Sequence, residues 1–507
     1  MSLTSILTNL SHEEIFSVGR WAFGAGALAY STKFLFKDED SYDAPPVVPG
    51  YPVIGNTLQF MSDPQKLMGQ SLDKACYCVD YGDVFTLNIG GRPVTMVGLS
   101  CVDDLVKTKD NVLSFNEAAD DFFQIKAIFG SELSDDYLHS RLARASMSKS
   151  LNEFAERSIH VIEAALDERL GDLEVGEEKS IDDIMEFMQR VIAKSSAAIF
   201  VGEASPACND VDFLDTVENF IGECIKAILF GRVFPKWTIP SVINSATSIP
   251  KHLEVARKTL FPIIAERRQM AAELGDAFVK PNDFIQWAID DEKNGEPLSS
   301  ELIVQGLMAL VFVSVATTAI NLTHMLYDVA GRQQHISELL SEQEAVLAQH
   351  DGKLTKQALD KMKMLDSFFR ESLRVNLDSA HTFRKTLEPW TLSNGMVVPK
   401  GHTVYFLSDT AHLNANVVGE APESFNPWRT LNTNKPSTRV GTDNIAFGFG
   451  RHACPGRFIA SMEIEIAMSV LLRKFEFRTI SGTRPANRPV LGTNLTPAEP
   501  IIFKRRV

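Results

Sequence analysis

Apolar and polar residues alternate through Asp83–Val97 on either side of Gly90-Gly91, a pattern that predicts a β-hairpin. From about 135 to 380 the apolar positions recur at three- and four-residue spacing, which predicts a largely helical body. Within it, Ser299–Ala330 runs without proline. Ser299 is placed to cap this helix, and Glu301 falls in its first turn. Strand character returns over Val397–Phe406, and Met462–Phe475 is helical again. The pattern is that of a mainly α chain with small β-sheets. Upstream, Trp21–Thr32 carries no charge, but it falls short of the roughly 20 residues that span a bilayer. Extension to Ile15–Phe36 reaches that length by admitting Arg20 and Lys33, both able to snorkel towards headgroups. A membrane anchor and a short apolar helix of the folded body are both open readings. A cleaved secretory signal fits poorly, because Glu13 and Glu14 stand where a basic region belongs. An acidic patch, Lys37-Asp38-Glu39-Asp40, precedes Pro45, Pro46, Pro49 and Pro52, which stiffen the backbone into an extended tether. The expected division is an N-terminal anchor and linker, 1–43, followed by one large body, 44–507.

Charge and composition narrow the function. Lys plus Arg number 50 against 65 for Asp plus Glu, a net charge of −15, which argues against broad nucleic-acid binding. Phe supplies 32 residues, a usage suited to packing and apolar pockets. Six cysteines (Cys76, Cys78, Cys101, Cys208, Cys224 and Cys454) make no disulfide framework, and Cys76-x-Cys78 has no second pair at zinc spacing. A reducing compartment and structural thiols fit all of them except Cys454.

Cys454 lies in Phe447-Gly448-Phe449-Gly450-Arg451-His452-Ala453-Cys454-Pro455-Gly456-Arg457-Phe458. Pro455 suits the first position of the helix that follows, so Cys454 would face its free N–H groups. A thiol there ionises readily, and a thiolate binds metal or acts as nucleophile. An inert buried thiol is the competing reading. The spacing Gly448-x-Gly450-x-x-Ala453 also satisfies a dinucleotide fingerprint, but too few residues follow it and Cys-Pro interrupts the expected helix. On the long helix, Ser314, Thr317, Thr318 and Asn321 recur at i, i+3, i+4 and i+7 as one polar stripe. Hydroxyls bonded back to their own helix would account for any one of them. Glu371 and Arg374, at i and i+3 in Phe368–Arg374, can pair, as many surface residues do.

The Cys454 segment resembles the haem-binding loop of the cytochrome P-450 monooxygenases, F-x-x-G-x-[RH]-x-C-x-G. Phe447, Gly450, His452, Cys454 and Gly456 fill all five positions, and 44–507 as a whole is similar to this family in its fungal form. The resemblance implies the mainly α P-450 fold with its small sheets, haem b as cofactor, Cys454 as axial thiolate and metal ligand, and His452 against a haem propionate. Thiolate ligation favours O–O cleavage. By the same resemblance, Phe312–Thr318 matches the oxygen-steering segment of the helix over the haem, with Thr317 and Thr318 as the catalytic hydroxyls. Ala316 stands where the family usually has an acid, and Ala relays no proton. Glu371, Arg374 and Arg429 correspond to the family's structural E-x-x-R network, with Leu377 in place of its usual proline. Arg384 sits where the family has a propionate-binding arginine. The W-x-x-x-R motif is not recognisable; His139, Arg141 and Arg144 lie in its region. Phe122, Phe123 and Phe129 are candidates for the pocket wall or for core.

The implied activity is monooxygenation of a lipophilic small molecule, of terpenoid, steroid or other fungal natural-product type. Electrons would come from a separate NADPH–cytochrome P-450 reductase. An N-terminal anchor would place the protein on the endoplasmic reticulum membrane with its catalytic body in the cytosol. A haem-thiolate enzyme of rearrangement, dehydration or oxidative coupling is a rival motivated by Ala316. Others are a non-catalytic haem-binding relative and an unanchored form.

Overall fold

The computed structural model describes residues 43–51, 55–62, 81–293, 295–490 and 493–506. The expected anchor, Cys76 and Cys78 lie outside them. The hairpin forms as read, from β1 (Val84–Ile89) and β2 (Arg92–Val97). Gly90 and Gly91 have φ of +61° and +74°, the two successive left-handed residues that a tight hairpin turn of matching twist needs. One short strand and two longer ones complete the sheet: β3 is Leu113–Ser114, β4 Ala380–Thr386 and β5 Thr403–Leu407. They join the hairpin in one five-stranded sheet of order β1-β2-β5-β4-β3, with β5 parallel to β2 and the other pairs antiparallel.

The single strand expected over Val397–Phe406 is two. Val397–Val398 pairs with Trp390–Thr391, and only Thr403–Leu407 enters the main sheet. Pro399 has no N–H to give a ladder, and Gly401, at φ +88°, turns the chain between them.

Apart from a three-stranded sheet of Glu178–Ile181, Phe475–Thr479 and Ile501–Arg505 and some two-stranded pairs, helices make up the rest of the described body. Those that place the site are α1 (Phe115–Phe123), α2 (Leu138–Ser146), α3 (Ser300–Ala330), α4 (Lys363–Asn376) and α5 (Arg457–Lys474). Ser299 caps α3 as its sequence implies, its hydroxyl accepting from the Leu302 N–H at 3.1 Å. Leu302–Phe312 and Leu322–Ala330 of α3 are almost wholly buried against Ile184–Ala197, Ile249–Leu274 and α5. Each large apolar side chain so enclosed contributes about 1.5–3 kcal/mol. α3 is the one helix among the described residues long and apolar enough to cross a membrane, and its burial makes it the central helix of the body.

A carboxyl group enclosed in that core makes stability depend on pH. Glu463 on α5 is 1% exposed and accepts from the Ser196 hydroxyl. Burial pushes its pKa up to about 7, against the pull of Ser195 and Ser196. Between the ordinary carboxylate range and pH 7 the folded protein keeps a proton that the unfolded chain has released. Stability therefore falls as pH rises through that window. The loss is on the order of 3 kcal/mol, at 1.36 kcal/mol per pH unit. Glu463→Gln is expected to raise the thermal unfolding midpoint at pH 8 and to leave it nearly unchanged at pH 4. Equal shifts at both pH values would remove the carboxyl from this account.

Candidate functional site

The loop before α5 is shaped by glycine. Gly448 and Gly450 have φ of +68° and +65°, and a Cβ on Gly450 would stand 3.2 Å from Val106. The Cys454 N–H donates to the Phe447 carbonyl at 2.8 Å, closing the loop. The helix starts two residues later than its sequence pattern implies, at Arg457 with Gly456 as its capping residue. Cys-Pro-Gly forms a turn of its own first. The consequence for sulfur survives the shift, because the Gly456 and Arg457 N–H groups both donate to Cys454 Sγ. Arg457 Nη1 also holds the Cys454 carbonyl at 2.7 Å. Burial nevertheless raises the thiol pKa, outweighing those donors and the Arg457 charge, so the thiol does not ionise readily on its own as expected. A cation at the sulfur would supply the missing charge, since a metal-bound thiol is deprotonated outright. His452 through Phe458 are all partly open, in contrast to the α5 turns that follow.

α3 opens at its middle. Val313, Ser314, Ala316, Thr317, Ile320 and Asn321 are accessible in a helix buried before and after them, and Thr317 lies at the centre of that arc. Successive residues turn by about 100° on a helix. Thr318 is accordingly carried off this face and is 2% exposed. The expected four-residue stripe is thus three residues, and Thr318 packs with the core. The hydroxyls bond back to the helix: Ser314 Oγ to the Val311 carbonyl at 3.2 Å and Thr317 Oγ1 to the Val313 carbonyl at 2.8 Å. Asn321 Nδ2 donates to the Thr317 carbonyl at 2.8 Å. No carboxylate stands on the open face among the described residues. The acids of α3 are Glu301, paired with Arg257, and the buried Asp328.

A cation is enclosed beside the loop. Arg384 is 5% exposed, with its guanidinium 5.2 Å over the Phe115 ring and Nη1 donating to the Phe383 carbonyl. No carboxylate bonds it among the described residues. Burial lowers its pKa to about 10, with Asp110 acting in the opposite sense. An enclosed, uncompensated guanidinium is a place that calls for an anion. The His452 ring also meets Phe115, tilted against it at 5.5 Å. Its Nε2 lies 2.7 Å from Asp110 Oδ1, the protein carboxylate that faces it. Of the three residues near the missing W-x-x-x-R, Arg141 is bridged at the surface to Asp136 and Asp291, and Arg144 is exposed. His139 is buried, and burial alone holds its imidazole neutral, at about 4.

Phe383, which the sequence reading passed over, organises an aromatic wall. Its ring lies 5.8 Å from Phe115, 5.1 Å from Phe122, 5.9 Å from Phe123 and 5.8 Å from Tyr405. Phe123 meets Phe312 of α3 at 6.0 Å. Two of the three expected wall residues belong here, whereas Phe129 is fully buried against Phe220.

Behind the loop, Glu371 gathers two arginines. Arg374 binds it through Nε at 2.9 Å and Nη2 at 2.7 Å, and Arg429 Nε is 3.2 Å from both oxygens. The pair is buried, unlike the surface pair that its spacing alone would allow. Arg374 Nη1 donates to the His412 carbonyl, and His412 Nε2 accepts the Ile445 N–H at 3.2 Å, two residues before Phe447. Burial holds His412 neutral, at about 3, as that acceptor role requires.

A haem fits this donor set: a sulfur with two N–H groups aimed at it, flat glycine backbone beside it, and an enclosed guanidinium lacking its anion. The family model described as Cytochrome P450 matches residues 45–505. A cytochrome P450 monooxygenase of Emericella nidulans is 31% identical over 387 residues, 73% of this chain and 71% of the relative. Cytochrome P450 monooxygenase 151 of Postia placenta is 27% identical over 497 residues, 95% of this chain and 97% of its own. Cytochrome P450 monooxygenase janP of Penicillium janthinellum is 27% identical over 388 residues, 74% of each.

Proposed function

The chain belongs to the cytochrome P450 family and is a monooxygenase of it; on that premise we propose that it oxidises a lipophilic small molecule of terpenoid, steroid or related natural-product type. Haem b is the cofactor of this reading, with Cys454 as its iron ligand, and a separate NADPH-dependent reductase is the electron source. The observation that carries it is the Cys454 sulfur, held by the Gly456 and Arg457 N–H groups in a loop that satisfies every position of the family motif. When bound, haem supplies the activation of dioxygen that no side chain can perform.

The chain's own residues divide the remaining work. The two N–H groups and the Arg457 charge temper the electron density that Cys454 can release towards iron. Arg384, already desolvated, would hold one propionate as its counterion. Gly448 and Gly450 would let the loop lie flat against a haem, and the Phe447 carbonyl fixes the Cys454 backbone. The wall of Phe122, Phe123, Phe312 and Phe383 excludes water and packs an apolar substrate. Thr317, at the centre of the open face of α3, donates its hydroxyl proton to the Val313 carbonyl here, and by turning its hydroxyl outward it would offer that proton where oxygen would bind. With Ala316 beside it, that proton is replenished from water and not from a side-chain acid.

Labelled dioxygen tests the reaction: one labelled atom is expected in the product, and its absence would favour rearrangement or coupling, the reading that Ala316 motivates. Thr317→Ala is expected to cut product formation by roughly 10²-fold, the lower end for a lost proton-transfer group, while NADPH consumption continues. Unchanged product per NADPH would exclude Thr317 from proton handling. We place the protein on the endoplasmic reticulum membrane through its N-terminal segment, a reading supported by the uncharged run Trp21–Thr32 and the proline tether after it.

A further inference from the structure

The open face of α3 has two unlike flanks, and Thr317 stands on the seam between them. At about 100° per residue, Ser314 and Asn321 lie about 60° and 40° to one side of Thr317, and Val313, Ile320 and Ala316 about 40°, 60° and 100° to the other. All six are accessible in a helix that is buried before and after them. One flank is therefore polar and the other apolar. The apolar flank borders the aromatic wall, because Phe312, about a further 40° beyond Ala316, meets Phe123. Ala316, which stands where the family usually has its acid, belongs to this dry side.

Asn321 is the side chain of the polar flank with bonding capacity to spare. Its Nδ2 donates to the Thr317 carbonyl at 2.8 Å, and its Oδ1 and second N–H have no partner among the described residues. Ser314, by contrast, gives its hydroxyl proton to the Val311 carbonyl. An amide with one donor and one acceptor free can hold a water. The same face of α3 then leads into a buried polar cluster. His324, one turn beyond Asn321, has Nε2 3.1 Å from the Asn494 carbonyl and Nδ1 3.4 Å from Arg484 Nη2. Asn494 is 7% exposed, and its Oδ1 is enclosed with no hydrogen-bond partner among the described residues. A buried amide oxygen in that condition marks a place for water.

We propose that Asn321 anchors the water that re-protonates Thr317, and that this water reaches the site along the Ser314–Asn321 flank, opposite to Ala316. The proposal rests on the reading of the site as a haem-thiolate monooxygenase and makes Asn321 a positioning residue. The anchored water gives a proton to the Thr317 oxygen as Thr317 gives its own towards the place where oxygen would bind. The side chain ends as it began, and the hydroxide left behind takes a proton from the solvent water behind it. The substrate keeps the dry, aromatic flank, so water supply and substrate binding do not compete for one path.

Carbon monoxide on the dithionite-reduced, haem-loaded full-length protein is the probe, with no substrate present. A hydrogen bond to its oxygen lowers the infrared stretching frequency, and an exchangeable donor makes that frequency differ between light and heavy water. Without the water, Thr317 stays bonded to the Val313 carbonyl and offers no such donor. The wild type is expected to show the solvent difference. Asn321→Leu is expected to lose it and to shift the band upward, Asn321→Ser to keep it, and Ala316→Val, on the dry flank, to leave both unchanged. Asn321→Ala replaces the leucine variant if that one fails to fold. Dioxygen uptake with reductase and NADPH is expected to fall roughly fivefold in Asn321→Leu, the worth of one ordinary hydrogen bond to the water. A solvent difference that is absent from the wild type, or that persists in Asn321→Leu and Asn321→Ala, overturns the proposal. So does its loss in Ala316→Val, which would put the water on the other flank, and so does unchanged uptake in a leucine variant whose band has moved. If the Soret band under carbon monoxide lacks its long-wavelength displacement, the haem-thiolate reading itself fails, an outcome distinct from the others.

Discussion

Glu371→Gln is expected to leave little soluble, haem-loaded protein. Glu371 is 3% exposed and accepts from Arg374, Arg429 and the Asn426 N–H. An amide has the same shape but carries no charge, so two enclosed guanidinium groups lose their counterion together. Removing one partner of a buried ion pair costs about 3–5 kcal/mol, a large part of the 5–15 kcal/mol that holds a typical domain. The loss is felt at the site, because Arg374 also braces the His412 carbonyl and His412 braces the Ile445 N–H ahead of the Cys454 loop. Soluble yield, the ratio of Soret to protein absorbance and the urea midpoint all report it. Wild-type values for all three would show that the network is dispensable.

Cys454→Ser is expected to do the opposite: preserve the fold and abolish the reaction. The thiol is enclosed, but a serine oxygen, of similar size, can still accept from the Gly456 and Arg457 N–H groups. The change in stability is therefore small, about 1 kcal/mol. Product formation with reductase and NADPH is expected to fall at least about 10³-fold, equivalent to about 4 kcal/mol in the barrier. A serine variant that retains turnover would remove the thiolate from the mechanism.

What the sequence made legible was local. The Cys454 loop, the hairpin turn at Gly90-Gly91, the Ser299 cap and the i, i+3 spacing of Glu371 and Arg374 each lie within one short segment, where turn chemistry and helical period act directly. Thr318 was misread because a stripe drawn on a helix has width, and only packing decides where its edge lies. Val397–Phe406 was misread because Pro399 and Gly401 were given less weight than the apolar residues around them. The remaining site residues are joined across the chain. His452 meets Asp110 at a separation of 342 residues. Single-sequence periodicity has no signal for such pairs. Phe383 had one available clue, its position next to Arg384 in an alternating strand.

The central claim is that Cys454 binds haem iron as a thiolate. The purified full-length protein, reduced with dithionite under carbon monoxide, is expected to show the long-wavelength Soret displacement characteristic of sulfur ligation, and Cys454→Ser to lose it. A wild-type Soret band without that displacement, or a serine variant with an unaltered spectrum, would contradict the account.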